Sequence, residues 1–230
     1  YKRTSNTLMR VPESYTVTGE GYRWKNVGVM SNKGIELSAD ADVIRTKDFT
    51  WNVSANVSYN QNRLKELYNG VTEYVNSTTG LKYVVGHSVS EFFLNRYAGV
   101  NPANGEQLWY DKNGNVTNEF RESDKVMTGK TYDAPWMGGF GTSFRWKGLQ
   151  LSAQFSWIGT RYVINNDRYF EEGGVTFGTA YNQSRRVLYN RWKNPGDITD
   201  IPKWGEVNQL DDRYLENASF LRLKNLSLSY

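Results

Sequence analysis

The sequence predicts an all-β protein, and more narrowly part of an antiparallel β-barrel that crosses a membrane. Three observations predict this fold class. Long segments alternate strictly between apolar and polar residues, and very short turns are set against very long connections. Aromatic residues make up 15% of the chain and include 8 Trp and 16 Tyr.

The clearest alternation begins at Phe49 and ends at Asn60. One face of this segment carries the apolar residues Phe49, Trp51, Val53, Ala55, Val57 and Tyr59. The other face carries the polar residues Thr50, Asn52, Ser54, Asn56, Ser58 and Asn60. Because successive side chains of a strand point to opposite sides, this pattern predicts a strand with one apolar face and one hydrated face.

Further segments repeat the pattern at residues 27–43, 140–146, 149–157 and 221–230. Short polar turns are expected at residues 45–48, 147–148 and 224–225. The hydrated face is expected to line a lumen with Glu36, Asp40, Asn52, Gln150 and Gln154. The connections at residues 61–137 and 159–217 are much longer than the ~15-residue loops that compact soluble domains tolerate. Bacterial outer-membrane barrels combine short periplasmic turns with long extracellular loops in this way.

The strand lengths agree with the thickness of a membrane. Trp51 and Tyr59 are eight positions apart, which is about 26 Å at ~3.3 Å per residue. A tilt of about 40° leaves roughly 20 Å of height, close to the ~25 Å apolar band that aromatic girdles flank in such barrels. We therefore expect Trp51, Tyr59, Trp146 and Trp157 to form a lipid-facing girdle. The alternative is a soluble β-sandwich with one buried face, but typical strands have only about 5–6 residues.

The composition excludes several other classes. The formal net charge is +4 without a Lys/Arg block, so no nucleic-acid partner is predicted. The absence of cysteine excludes disulfides and cysteine-based metal or redox sites. The sequence has no run of about 18 apolar residues, so no transmembrane helix is predicted. The mean hydropathy of −0.68 does not indicate a soluble protein, because barrel strands alternate lipid-facing with lumen-facing residues.

Four motifs resemble TonB-dependent transporters, and three of them the SusC/RagA branch. Residues 26–37 (NVGVMSNKGIEL) resemble the family's NxGxxxNxGxE strand, and residues 97–110 resemble its YAGVdPxtGxxxWY signature. Residues 191–202 (RWKNPGDITDIP) and 214–226 (YLENASFLRLKNL) are similar to its C-terminal loop and strand pair. The matches occur in order along nearly the whole chain.

This resemblance implies a 22-stranded barrel in the bacterial outer membrane, closed by an N-terminal plug. TonB energises such a transporter, a SusD-like surface lipoprotein covers it as a lid, and transporter–lid units often pair as dimers. The cargo in Bacteroidetes is a glycan or a peptide. Residues 1–230 are then expected to be the C-terminal portion of the barrel domain, with the plug and the last strands outside this sequence.

Four aromatic residues of the long connections are candidates for contact with a substrate or a lid: Trp109, Tyr110, Trp192 and Trp204. Flat aromatic rings stack on sugars and on peptide side chains. The alternative is that these rings pack within the loops or against the lid. Local signals in the same connections predict a hairpin at Asn113-Gly114 and a short helix within residues 182–192 that Pro195 and Gly196 end.

No catalytic residue, metal or cofactor is expected. His87 is the single histidine, and nothing around it forms the nucleophile elbow of a Ser-His-Asp site. Residues 111–117 with Glu122 faintly resemble a calcium loop but lack Gly at the sixth position. The rival functions are a passive porin and a soluble β-rich carbohydrate-binding module, whereas the single histidine disfavours an outer-membrane hydrolase.

Overall fold

The computed structural model describes residues 1–12, 14–19, 21–75, 82–173 and 182–230. Its fifteen described strands are β1 (Lys2–Pro12), β2 (Tyr22–Arg45), β3 (Phe49–Glu66), β4 (Glu73–Val75), β5 (Lys82–Val84), β6 (Glu91–Leu94), β7 (Arg96–Val100), β8 (Gln107–Tyr110), β9 (Val116–Thr117), β10 (Val126–Thr131), β11 (Trp136–Trp146), β12 (Leu149–Gly159), β13 (Tyr162–Ile164), β14 (Leu215–Asn217) and β15 (Phe220–Ser229). The described α-helices are α1 (Tyr15–Thr18), α2 (Asn166–Glu172) and α3 (Arg185–Asn190).

The chain divides into two compact units. The sheet unit consists of Tyr1–Glu91, Lys130–Tyr162 and Ala218–Tyr230, and the loop unit consists of Phe92–Gly129 and Val163–Asn217. Each stretch of the loop unit lies within one of the two long connections that the sequence predicts.

The sheet unit is built on six antiparallel strands in the order β1-β2-β3-β11-β12-β15. The strand predicted from Phe49 to Asn60 is confirmed and continues to Glu66. The predicted segments at residues 27–43, 140–146 and 149–157 are likewise strands, β2, β11 and β12. Most of these strands have 11 to 24 residues, which agrees with a barrel wall and exceeds the usual length in sandwiches.

Two of the three predicted short turns are confirmed. The chain turns between Arg45 and Phe49, where the Thr46 hydroxyl accepts a hydrogen bond from the Phe49 amide at 3.0 Å. It turns again at Lys147-Gly148, and Lys147 adopts a positive φ of 51°, which a tight hairpin connection requires.

The turn predicted at residues 224–225 is wrong. Strand β15 runs without interruption from Phe220 to Ser229, and its register with β12 shifts between Gln154 and Phe155. Lys224 is therefore the extra residue of a β-bulge. A bulge inserts one residue and reverses the parity of the alternation, so Leu223 and Leu226 share a face although their numbers differ by three.

The loop unit holds a three-stranded sheet, β7-β8-β9, and two short helices. The predicted hairpin is confirmed, because β8 pairs with β9 across Asn113-Gly114. The predicted short helix within residues 182–192 is confirmed as α3. The other helix, α2, is capped by the Asn165 side chain, which accepts a hydrogen bond from the Arg168 amide at 3.0 Å. Among the described residues, none of the helices is long and apolar enough to cross a membrane.

Candidate functional site

One face of the six-stranded sheet is apolar from β2 to β15. Residues opposite one another in the register share a side of the sheet, so Leu37, Val57, Gly138 and Trp157 form one row. The apolar side chains remain open, with Leu37 65% exposed and Leu228 68% exposed. Soluble monomers rarely leave a continuous apolar face of this extent in water. The face therefore favours contact with an apolar phase.

Aromatic residues mark two levels on this face. At the short-turn end, the Trp51 ring stacks on Phe144 with centroids 5.6 Å apart, and Trp146 is opposite Phe49. The Trp51 indole donates to the Thr142 hydroxyl at 2.9 Å, which satisfies a polar group on an otherwise apolar surface.

The second aromatic level lies at the opposite end of the sheet, which we call the long-connection end because the long connections leave the strands there. Tyr59 is opposite Trp136, with ring centroids 4.6 Å apart, and Trp157 is in the adjacent row. The four residues predicted as a girdle thus occupy the two ends of the apolar face. That these four side chains face lipid stays a prediction.

The opposite face of the sheet is polar and internally hydrogen-bonded. The Asn52 amide donates to both Asp40 and Asp42 at 3.2 Å, and the Ser152 and Ser227 hydroxyls are 2.7 Å apart. These groups suit a hydrated lumen, because polar lining keeps a channel wet without choosing a substrate.

A buried polar cluster lies at the centre of the loop unit. Asp211 is fully buried and accepts a hydrogen bond from the Trp109 indole at 2.8 Å. Arg213 Nε lies 3.1 Å from Asp211 Oδ1, which is an ion-pair distance, although the Nε–H is not aimed for a hydrogen bond. The guanidinium reaches Gln107 Oε1 at 2.6 Å and covers the Tyr97 ring at 4.2 Å.

Burial governs the ionisation of this cluster. It raises the pKa of the Asp211 carboxyl against the opposing effect of Arg213 and raises the pKa of Tyr214 to about 12. The Tyr214 hydroxyl donates to Asn208 at 2.7 Å. The cluster joins residues more than 100 positions apart, Trp109 with Asp211 and Gln107 with Arg213. It is a structural centre, since Trp109, Asp211 and Tyr214 are buried.

A second ionic network links the helices of the loop unit. Arg168 pairs with Glu172 at 3.2 Å and with Glu216 at 2.8 Å, and Arg186 pairs with Glu172 at 2.6 Å. Hydrogen bonds from Arg168 and Asn165 lower the pKa of Glu216. The carboxylates of Glu172 and Glu216 are therefore both paired with arginine side chains. The described residues contain no group of three His, Cys, Asp or Glu side chains that is able to hold a metal ion.

The Asp111 hairpin and His87 are each engaged locally. The Asp111 carboxylate accepts hydrogen bonds from the backbone amides of Asn113 and Asn115 at 2.8 Å and from the Asn115 side chain at 3.1 Å. The Asn115 side chain has the largest effect, and together these hydrogen bonds lower the pKa of Asp111. In the sheet unit, His87 Nδ1 lies 3.0 Å from Glu91 Oε2.

The four aromatic residues predicted to contact a substrate or lid have different surroundings. Trp109 is buried, with 4% exposure, which matches the alternative of packing within the loops. Tyr110 is half-buried beneath the Arg96 guanidinium at 5.4 Å. Trp192 lies against Gly105 and donates to the Pro102 carbonyl at 3.1 Å. Trp204 is 59% exposed, and the Arg191 guanidinium lies over its ring at 4.5 Å from the ring centroid.

A cleft of about 600 Å³ in the same unit was not predicted from the sequence. Its lining includes Tyr189, which is 66% exposed, and Ile198, which is 94% exposed. Asp197 shapes the loop by accepting from the amides of Lys193 and Asn194. The only signal in the sequence was an isolated isoleucine in a polar loop after Pro195-Gly196.

Comparison with known proteins agrees with this architecture. No protein-family model matches the chain. The TonB-dependent receptor SusC of Bacteroides thetaiotaomicron is 27% identical over 247 residues, covering 100% of this chain and 23% of SusC. The TonB-dependent receptor P39 of Formosa agariphila is 26% identical, covering 100% of this chain and 26% of P39.

Solved structures extend the likeness to the fold. A structure of the RagAB peptide transporter matches 99% of this chain and 26% of its own chain, with a TM-score of 0.87 and 37% identity. The RagAB peptide importer in the 'closed-closed' state gives a TM-score of 0.86 and 38% identity. The chain thus spans about a quarter of the length of the relatives that it matches.

The sheet and its two faces define part of an outer-membrane β-barrel of the TonB-dependent receptor class. The chain belongs to the SusC/RagA family of these receptors, as the sequence motifs predicted. Its location is the bacterial outer membrane, and its relatives are receptors and transporters rather than enzymes.

Proposed function

We propose that the protein is a TonB-dependent importer that takes up oligomeric nutrients across the outer membrane. The observation that carries this proposal is the likeness of 99% of the chain to the RagAB peptide transporter, with a TM-score of 0.87 and 37% identity. The chain forms the C-terminal portion of the barrel domain, over residues 1–230.

The two faces of the sheet have separate tasks in this proposal. The apolar face meets lipid, with Trp51, Tyr59, Trp146 and Trp157 at the membrane boundaries. The polar face, which carries Asn52 and Asp40, lines the hydrated lumen. Both faces continue across the sheet, which supports a wall with lipid on one side and water on the other.

The partners follow from the family. A SusD-like surface lipoprotein covers the extracellular side, TonB acts through the plug, and two transporter–lid units associate as a dimer. Substrate or lid is contacted by Tyr110, Trp192 and Trp204 in the loop unit, while buried Trp109 holds the loops in shape. The open cleft beside Tyr189 adds a surface of about 600 Å³ for such a contact.

The cargo is proposed to be oligopeptides. The likeness of 99% of the chain to the RagAB peptide transporter, at 37% identity and a TM-score of 0.87, supports this choice. Oligosaccharides are the second candidate, because the exposed ring of Trp204 is suited to stack on a sugar.

Uptake in cells tests the importer function. A strain that lacks the transporter gene is complemented with the wild type, and accumulation of labelled oligopeptides and oligosaccharides is measured with and without functional TonB. We expect TonB-dependent accumulation of peptides. Accumulation that persists without TonB would instead identify a passive porin, and accumulation of oligosaccharides alone would replace the proposed cargo.

Substitution of Trp204 tests the contact surface. Trp204→Ala is expected to raise the substrate concentration that gives half-maximal uptake about tenfold. The amount of folded protein should stay normal. Val116→Ala at the exposed hairpin tip is the control, since Val116 is also open, at 55% exposure. Equal uptake by the two variants would remove Trp204 from the proposed site.

A further inference from the structure

A basic patch lies just beyond the aromatic residues at the long-connection end of the sheet. We define it as Lys2, Lys33 and Arg63, three exposed residues. Ile35 is opposite Tyr59, the next row on this face pairs Lys33 with Gln61, and the following row pairs Ser31 with Arg63. Lys33 is therefore two positions, or about 7 Å along the strand, beyond the aromatic level.

The patch concentrates charge of one sign. Lys2 and Lys33 are directly opposite in the register of β1 and β2, a placement in which like charges destabilise a strand pair. In the described part of the chain neither lysine has an ion-pair partner. The next carboxylate along β3 is Glu66, which is opposite Val29 and beyond a bulge.

Arg63 is held in position beside the lysines. One of its guanidinium nitrogens donates to the Gly86 carbonyl, which ties the side chain to the backbone next to β3. The neighbouring Ser31 is only 4% exposed, so the row beneath the guanidinium is closely packed. A fixed guanidinium and two lysine ammonium groups are a donor set suited to phosphate.

We propose that Lys2, Lys33 and Arg63 bind the phosphate group of a lipid in the outer leaflet of the membrane. The inference rests on the proposed placement of the apolar face against lipid. In that placement the patch lies at the height of the headgroups, on the extracellular side, because the long connections mark that side of a barrel. An anion between Lys2 and Lys33 relieves their mutual repulsion, and the acyl chains of the same lipid contact the apolar rows below.

The test uses the complete transporter purified in detergent micelles. Native mass spectrometry measures binding of lipid A, a phosphorylated glycolipid, and of the same lipid after enzymatic dephosphorylation. The triple variant Lys2→Gln, Lys33→Gln, Arg63→Gln is compared with Lys47→Gln, which removes the same type of charge in the short turn at the other end of the sheet. Lys33→Arg is a charge-preserving variant, and heat-modifiable electrophoretic mobility reports whether each barrel is folded.

We expect the triple variant to bind lipid A on the order of a hundredfold more weakly at low salt. Lys47→Gln and Lys33→Arg should bind like the wild type, and the dephosphorylated lipid should bind weakly to all of them. Lipid A should raise the unfolding temperature of the wild type but not of the triple variant.

Three results would overturn the site. Unchanged retention of lipid A by the folded triple variant would do so, as would equal binding of the dephosphorylated lipid, which indicates contact through acyl chains alone. A stabilisation by inorganic phosphate equal to that by lipid A would assign the patch to a free anion. Uptake by the variants is measured separately, so a failed lipid site with intact TonB-dependent uptake leaves the importer function standing.

Discussion

Trp109 and Trp204 lie in the same loop unit but have opposite surroundings. Trp109 is 4% exposed and donates its indole N–H to the Asp211 carboxylate, 102 positions away, at 2.8 Å. Trp204 is 59% exposed, and the Arg191 guanidinium lies over one side of its ring.

Trp109 and Trp204 should therefore respond differently to substitution by alanine. Trp109→Ala removes a buried indole that packs edge-on against Phe120 at 5.3 Å. It also removes the donor to Asp211 Oδ2 and leaves the carboxylate with the Arg213 backbone amide on Oδ1. We expect it to destabilise the loop unit by about 3–5 kcal/mol. Trp204→Ala should change stability by no more than about 0.5 kcal/mol.

Limited proteolysis of the complete protein measures this difference. Trp109→Ala should make the segments Phe92–Gly129 and Val163–Asn217 susceptible to cleavage, and Trp204→Ala should not. Equal resistance of both variants would mean that the indole of Trp109 does not hold the loops together.

The sequence motifs identified Trp109, Tyr110, Trp192 and Trp204 but did not indicate which of these side chains is exposed. Trp109 donates its indole hydrogen bond to Asp211, 102 positions away, and no local pattern encodes a contact of that separation. The Asn113-Gly114 hairpin depends only on neighbouring residues and was predicted.

The pairing of Arg168 with Glu216 predicts an acid-sensitive loop unit. Hydrogen bonds from Arg168 lower the pKa of Glu216 below its usual value of 4.5. A carboxyl whose pKa is lowered by folding stabilises the fold above the unfolded pKa, and this contribution is lost as the pH falls through the folded pKa. We expect the protection of the amide hydrogens in α2 and β14, measured relative to their intrinsic exchange rates, to fall below pH 4.5, and the change should be smaller in Glu216→Gln.

Glu122→Gln is the matched control for this pH effect. Glu122 pairs with Lys125 but its side chain is 74% exposed, so its removal should leave the pH profile of α2 unchanged. An identical acid response in the wild type and Glu216→Gln would show that other carboxyls dominate.

Strands were the elements most fully specified by sequence. Alternation predicted β2, β3, β11 and β12, because each carries a long run of residues with uninterrupted parity. It failed at Lys224, where a bulge reverses the parity and so produces the same sequence signature as a turn. The extension of β3 to Glu66 was also missed, because beyond Asn60 this strand packs Leu64 on its formerly polar face against Tyr74 and Tyr83.

The two faces of β3 should differ in their tolerance of charge. Ala55 lies in the middle of the apolar face, opposite Ala39 and Phe140, and the adjacent Asn56 points to the polar face. Ala55→Lys is expected to cost about 2–4 kcal/mol, the range for a lysine at the bilayer midplane. Asn56→Lys should cost much less, since its ammonium group remains hydrated.

Refolding of the complete protein into liposomes at graded urea concentrations measures both variants. Folded fractions are read from heat-modifiable mobility. Similar midpoints for Ala55→Lys and Asn56→Lys would contradict a lipid-facing assignment of the apolar face and would favour a water-exposed sheet.

At the scale of the whole molecule, the six-stranded sheet has two edges, β1 and β15. Each edge presents a row of backbone N–H and C=O groups that no strand within the described sheet pairs. An open edge in hydrocarbon costs several kcal/mol for each unsatisfied group, which is why membrane sheets close into barrels. The family of this chain, whose members are about four times as long, supplies further strands for that closure.

Hydrogen exchange in micelles tests whether both edges are closed. In an antiparallel strand every second amide points away from a given neighbour, so half of the β1 amides point away from β2.

In the complete protein we expect these amides, and the corresponding amides of β15, to exchange as slowly as the amides of β3, which has strands on both sides. In the 230-residue chain prepared alone, the same amides should exchange rapidly while those of β3 stay protected. Rapid exchange at β1 or β15 in the complete protein would mean that this edge is open to water. The sheet would then not be part of a closed wall, and transport through an enclosed lumen would lose its structural basis.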